Sequence, residues 1–196
     1  MRSICVYCSS SDAIDPLYFE AARELGAAIA RDFGTLVYGG TNIGLMGAVA
    51  RAVHAGDPRG KVVAVVPEVI YGRGLVYEAA DELIVTRDLR LRKHEMQARS
   101  DAFVALPGGI GTWEEILEML TLKQLDIHTK PIVFLNVAGY YGPLTALLEH
   151  AIAQRFMKQS SRELYHAAED VCDAVEYLKR YEPPRVEAKW AEAAET

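Results

Sequence analysis

Several short stretches of this chain are apolar without interruption, and two of them run straight into paired glycines. Residues 35–38 lead into Gly39-Gly40, and residues 102–106 lead into Pro107-Gly108-Gly109. A strand with one wet face alternates apolar and polar residues. An unbroken apolar run is instead buried on both faces, which calls for a parallel sheet covered by helices on each side. Strands are predicted at 3–8, 35–38, 61–66, 83–86, 102–106 and 131–136, with Pro67 stopping the third. Helices are predicted between and after them, at 16–32, 43–55, 88–99, 112–125, 143–155 and 168–181. This alternation predicts an α/β fold: a doubly wound, mostly parallel sheet with helices on both faces, Rossmann-like, in a single domain. A chain of 196 residues suits one such domain over 1–181. Residues 182–196, with Pro183-Pro184 followed by charge and alanine, read as a flexible tail or a short surface helix.

In an open parallel sheet, ligands bind at the carboxyl ends of the strands. Three glycine-rich turns are expected there: 39–47, the Gly72-Arg73-Gly74 loop, and 107–112. A lone Gly-Gly pair is explained by a tight turn. Two at strand ends, each opening a helix, point to an anion site, because glycine admits close approach and a helix N-terminus offers free N–H groups. Neither turn has the dinucleotide fingerprint or the P-loop pattern.

The helix after the third turn carries two readings of Glu115. Thr112 and Glu115 have capping-box spacing. On a helical wheel, however, Trp113, Ile116, Leu117 and Leu120 share one apolar face, and Glu115 points nearly opposite, flanked by Met119 and Leu122. Something apolar, a ligand or another subunit, is therefore expected over that second side. Arg87, Arg90, Arg92, Lys93 and Arg99 form a local basic cluster, readable as an anion-binding feature or as a solvated helix face.

The formal charge of −6, with 51% apolar and 24% charged residues, gives no general reason to expect nucleic acid or an anionic membrane as a partner. No apolar run approaches the roughly 18 residues of a membrane helix, and residues 1–7 lack the pattern of a leader. Of the three cysteines, Cys5 and Cys8 lie on opposite faces of the first strand and read as buried free thiols, fitting a cytoplasmic location. The five histidines are scattered without metal-ligand spacing, so no metal is expected.

Pro107-Gly108-Gly109-Ile110-Gly111-Thr112-Trp113-Glu114-Glu115 resembles the P-G-G-x-G-T-x-x-E signature of the Lonely Guy family, the cytokinin riboside 5′-monophosphate phosphoribohydrolases. The likeness extends over nearly the whole chain. Val6-Tyr7-Cys8-Ser9-Ser10 resembles the family's opening strand and turn, and Tyr38-Gly39-Gly40 with Gly44-Leu45-Met46-Gly47 its second block. Arg92-Lys93, Met96 and Ser100-Asp101-Ala102-Phe103 resemble the segment before the signature. The resemblance implies Arg92 and Glu115 as catalytic residues. It implies Lys93, Gly40, Gly108, Gly109, Ile110, Gly111, Thr112, Glu114 and Thr121 as substrate contacts. It also implies a nucleoside 5′-monophosphate substrate, no cofactor, and a homodimer or dimer-based oligomer.

The chain departs from the family pattern at Leu89-Arg90, often Met-His, at Ile110, often Tyr, and at Trp113, often Leu. Gly72-Arg73-Gly74 stands where P-R-E is common, so the resemblance implies hydrolysis without specifying a prenylated adenine. The alternative is a non-catalytic carrier of a phosphorylated ligand, similar to molybdenum cofactor carriers. Signatures of this kind are often labelled lysine decarboxylase; nothing in the sequence suggests a pyridoxal phosphate lysine.

Overall fold

The computed structural model describes residues 1–183; most of the predicted tail lies outside them. Among these residues the strands are β1 (Ser3–Tyr7), β2 (Thr35–Tyr38), β3 (Lys61–Pro67), β4 (Glu82–Thr86), β5 (Ala102–Ala105), β6 (Ile132–Leu135) and β7 (His166–Ala168). They form one sheet in the order β4-β3-β2-β1-β5-β6-β7, and every pairing is parallel. The helices are α1 (Pro16–Asp32), α2 (Gly44–Ala55), α3 (Glu68–Tyr71), α4 (Leu89–Ala98), α5 (Ile110–Gln124), α6 (Gly142–Ala153) and α7 (Val171–Arg180). The doubly wound α/β architecture is as the apolar strand runs required.

Those runs are buried throughout: every residue of β5 and β6 is shielded, and only Lys61 of β3 is exposed. The sheet separates two cores. Ile4, Val6 and Cys8 face one, with Leu25 and Ile29 of α1, Val49 of α2 and Leu178 of α7. Cys5 and Tyr7 face the other, with Met96 of α4, Ile116 and Met119 of α5 and Leu148 of α6. Strand alternation thus sends the two thiols to opposite cores, where both are free and buried.

Four local features differ from the expectations. β7 was unforeseen, because three residues with the sequence His-Ala-Ala carry no readable period; its place comes from pairing with β6. The last helix accordingly starts at Val171 rather than 168, capped by Asp170, whose carboxylate accepts from the Asp173 N–H at 2.8 Å. The single-turn helix α3 interrupts the loop after β3. Finally, α5 starts at Ile110, two residues before the predicted Thr112.

From β1 the chain winds outward through β2, β3 and β4 on one side, and through β5, β6 and β7 on the other. The order reverses between β1 and β5. At such a switch point the following loops diverge and leave a crevice above the strand ends.

Candidate active site

A cleft of about 480 Å³ occupies that crevice, within the usual size range of small-molecule sites. The turn after β5 contributes Gly109, Gly111 and Thr112. The turn after β1 contributes Cys8 and the hydroxyl run Ser9, Ser10 and Ser11, and Gly39 follows β2. Pro67, Ile70 and Leu89 line the cleft from the β3 side. Arg92 of α4 and Glu115 of α5 both reach it.

The two helix-opening glycine turns turn out to be chemically different. At α2 the chain satisfies its own N–H groups: Gly44 donates to Asp12 Oδ1 at 2.9 Å, and Leu45 and Met46 donate to the Ser9 carbonyl at 3.0 and 3.3 Å. At α5 the N-cap is Gly109, which has no side chain to offer, and the first helical bond is Trp113 N–H to the Gly109 carbonyl at 3.1 Å. The N–H groups of Ile110, Gly111 and Thr112 have no protein acceptor among the described residues. This N-terminus, with its partial positive charge directed at the cleft, is the one equipped for an anion. Gly108 cannot be replaced, because a Cβ there would collide with the Thr112 side chain and crowd the Ser9 nitrogen.

Arg92 and Glu115 form a buried ion pair between α4 and α5, each residue only 8% exposed. Arg92 Nη1 donates to Glu115 Oε1, and Arg92 Nε donates to the Val65 carbonyl at 3.0 Å, which fixes the guanidinium plane. The guanidinium fills the space that a side chain at residue 39 would take, which accounts for Gly39. Burial pushes the Glu115 carboxyl above the usual carboxylate range, even though the Arg92 guanidinium pulls the other way. The capping-box reading of Glu115 is thereby excluded. With Gly109 as N-cap, Thr112 is the third helical residue and Glu115 lies beyond reach of the N-cap N–H.

The structure brings Arg92, Glu115, Gly109, Gly111 and Thr112 together at the cleft; the remaining predicted contacts are not part of its lining. Gly108 lies behind the turn. Ile110 is largely exposed. Lys93 Nζ is ion-paired to Glu114 and, at 2.7 Å, to Glu118. Thr121 lies further along α5, its hydroxyl donating to the Leu117 carbonyl at 2.8 Å. Gly40 adopts φ 82° and accepts from the Tyr77 N–H at 2.9 Å, so its role is to turn the chain while Gly39 meets the cleft. The basic cluster is largely neutralised: Arg99 pairs with Glu82 and Glu95, and Arg87 lies 3.7 Å from Asp88. Among the described residues no His, Cys, Asp and Glu side chains are grouped as a metal would require. No helix among them is long and apolar enough to cross a membrane.

The wheel reading of α5 needs correction. Its buried face is Thr112, Glu115, Ile116, Met119, Leu120 and Lys123, while Trp113 is 41% exposed. Leu122 is half-buried against the same core. Apolarity alone rotated the helix by nearly one residue step, about 100°. The two charged residues of this face are satisfied inside the protein: Glu115 by Arg92, and Lys123 Nζ by the Leu164 carbonyl at 2.9 Å. Burial also lowers the Lys123 ammonium to about 8. The reading also left out Ser9, Ser10, Ser11, Thr41, Ile70 and Leu89 as cleft residues. The one available signal was the hydroxyl run at the end of the first strand, and its adjacency to the β5 turn depends on the strand order.

Residues 46–178 match the family described as "Possible lysine decarboxylase". A probable cytokinin riboside 5′-monophosphate phosphoribohydrolase of Oryza sativa subsp. japonica is 41% identical over 182 residues, covering 93% of this chain and 74% of the relative. This chain belongs to the Lonely Guy family. A second member, a cytokinin riboside 5′-monophosphate phosphoribohydrolase of Arabidopsis thaliana, is also 41% identical, over 93% of this chain and 83% of its own. Solved structures with the Lonely Guy chain's fold include the molybdenum cofactor carrier protein of Chlamydomonas reinhardtii. It is 25% identical with a TM-score of 0.68, covering 91% of this chain and 96% of the carrier. The molybdenum cofactor binding protein of Rippkaea orientalis shares the fold at 22% identity and a TM-score of 0.67, covering 91% and 96%.

Proposed function

We propose that this protein hydrolyses the N-glycosidic bond of a nucleoside 5′-monophosphate, AMP or an N6-substituted AMP, releasing free base and ribose 5-phosphate. The observation that carries this reading is a buried Arg–Glu pair opening into a cleft beside a helix N-terminus whose N–H groups have no protein acceptor among the described residues. Three strand spacings, about 14 Å, separate β5 from β3, comparable to an extended nucleoside monophosphate. The 5′-phosphate then binds at Gly109, Gly111 and Thr112, with the base toward Pro67, Ile70 and Leu89. Glu115 stabilises the oxocarbenium-like state and orients a ribose hydroxyl or the attacking water. Arg92 holds and polarises the substrate through base or phosphate contacts. Among the described residues no lysine lines the cleft, so the residues present there do not suit a Schiff-base cofactor.

Phosphate anchoring gives the direct test. AMP or an N6-substituted AMP should release free base, and the corresponding nucleoside should react at least about a hundredfold more slowly in kcat/KM, because it forgoes several charge-assisted hydrogen bonds. Equal rates on AMP and adenosine would refute the reading. The carrier alternative draws on the fold likeness at 25% identity. It requires that purified protein retain a phosphorylated pterin, which mass spectrometry detects.

The working unit in this proposal is a homodimer. Trp113 and Leu117 of α5 join Leu144 and Leu147 of α6 around an apolar cleft of about 570 Å³, with Leu147 61% exposed. This face replaces Met119 and Leu122, which pack inward. It spans two helices, more than a nucleotide covers, and a symmetric copy is the economical occupant. Replacing Trp113 and Leu147 with Asp should therefore give monomers in light scattering, with reduced activity. A wild-type monomer at micromolar concentration with full activity would exclude the dimer.

A further inference from the structure

Immediately after β6 the chain makes a tight return. Ala138 and Gly139 both adopt left-handed backbone, φ 51° and 75°, and Asn136 Oδ1 accepts from the Tyr141 N–H at 2.7 Å. A non-glycine residue in that region is strained, and such strain persists only where the surroundings enforce it. The return delivers two consecutive tyrosines to the back of the β5 turn. Tyr140 Oη donates to the Gly108 carbonyl at 2.5 Å, and Tyr141 Oη donates to the Leu106 carbonyl at 2.8 Å. The Tyr140 ring is held edge-on between Tyr18, with centroids 6.2 Å apart, and Tyr141, at 5.2 Å.

The two hydroxyl bonds look equivalent but differ in consequence. A trans peptide is planar, and its C=O and N–H point in opposite directions. Fixing the Gly108 carbonyl therefore fixes the Gly109 N–H, which belongs to the same peptide plane and has no protein acceptor among the described residues. Tyr140 lines the apolar cleft on one side of the turn, and Gly109 lines the candidate active site on the other. The Leu106 carbonyl shares its peptide with Pro107, which has no N–H to aim.

We propose that Tyr140 is a positioning residue for the substrate's phosphate, its hydroxyl holding the Gly108–Gly109 peptide so that the Gly109 N–H points at the anion. The neighbouring Tyr141 hydroxyl secures the strand end without tuning affinity. This inference rests on the assignment of the phosphate to the α5 turn. Glycines stand on both sides of the bond in question, and without Tyr140 this peptide loses the hydrogen bond that holds its carbonyl.

The test compares Tyr140→Phe with Tyr141→Phe, using ribose 5-phosphate as the probe in calorimetry. Tyr140→Phe should raise the dissociation constant about tenfold or more, the usual effect of losing one well-aimed hydrogen bond to a charged group. It should raise KM for AMP in similar proportion while kcat changes less than about threefold. Tyr141→Phe should lower Tm yet leave the ribose 5-phosphate dissociation constant within about twofold of wild type, as the peptide it touches carries no donor. Wild-type affinity in Tyr140→Phe overturns the inference and leaves the phosphate assignment standing, as does an equal loss in both variants. Failure of ribose 5-phosphate to bind wild-type protein overturns both.

Discussion

Replacing Glu115 with Gln should reduce turnover of a nucleoside monophosphate about a thousandfold, while the protein stays folded and still binds the nucleotide. Gln keeps the size of the side chain and an oxygen that can accept from Arg92 Nη1, so the α4–α5 contact is preserved in outline. What it removes is the negative charge. A fixed charge on a buried side chain, beside a developing oxocarbenium, is among the largest contributions a protein can make, of order several kcal/mol. Because burial raises the Glu115 carboxyl above its usual range, activity should fall on the acid side at a higher pH than a free glutamate would dictate. Single-turnover release of base, followed across pH, measures both effects. A Gln variant with near-normal turnover would reduce Glu115 to a structural partner of Arg92.

Removing the other half of the pair should be felt first in stability. Arg92→Met leaves a buried carboxylate without its counter-charge, and breaking such a pair costs about 3–5 kcal/mol, whereas replacing both partners is far milder. Arg92→Met with Glu115→Gln should therefore be more stable than Arg92→Met alone. The pH dependence has a defined sign. In Arg92→Met the folded-state pKa of Glu115 rises further above its unfolded value. Below the unfolded pKa the group is protonated in both states and the protein keeps its full stability. As pH climbs from the unfolded towards the folded pKa, only the unfolded chain ionises freely, and stability is lost. Urea unfolding at acid and neutral pH checks this. Stability of the single variant that is unaffected by acid, or a double variant no better than the single, would contradict the buried-charge account.

Much of this architecture is legible in the amino-acid sequence. The apolar runs of β3, β5 and β6 required burial on both faces, and the glycine pairs after β2 and β5 marked where the chain turns into helices. Arg92 and Glu115 were picked out by a resemblance in motif, and their meeting across α4 and α5 is a matter of the fold. Thr121, Lys93 and Glu114 were picked out by the same route and do not line the cleft, Lys93 and Glu114 pairing with each other beside it. A motif records which residues recur; which of them line the cleft depends on how the helices pack.

The sequence by itself determined the sheet's burial, the positions of the turns and the split of Cys5 and Cys8 between two cores, since each follows from a period of two or an uninterrupted apolar run. Local patterning of that kind is set by neighbours along the chain. Tertiary structure alone decided which glycine turn is open to an anion, because Asp12 and Ser9, more than thirty residues away, satisfy α2 and leave α5 free. It also decided the rotation of α5. Polar Glu115 and Lys123 point inward only because Arg92 and the Leu164 carbonyl, distant in sequence, meet them there. A buried polar group is tolerated when its partner is in place, and partners drawn from other strands and helices leave no trace in the local pattern.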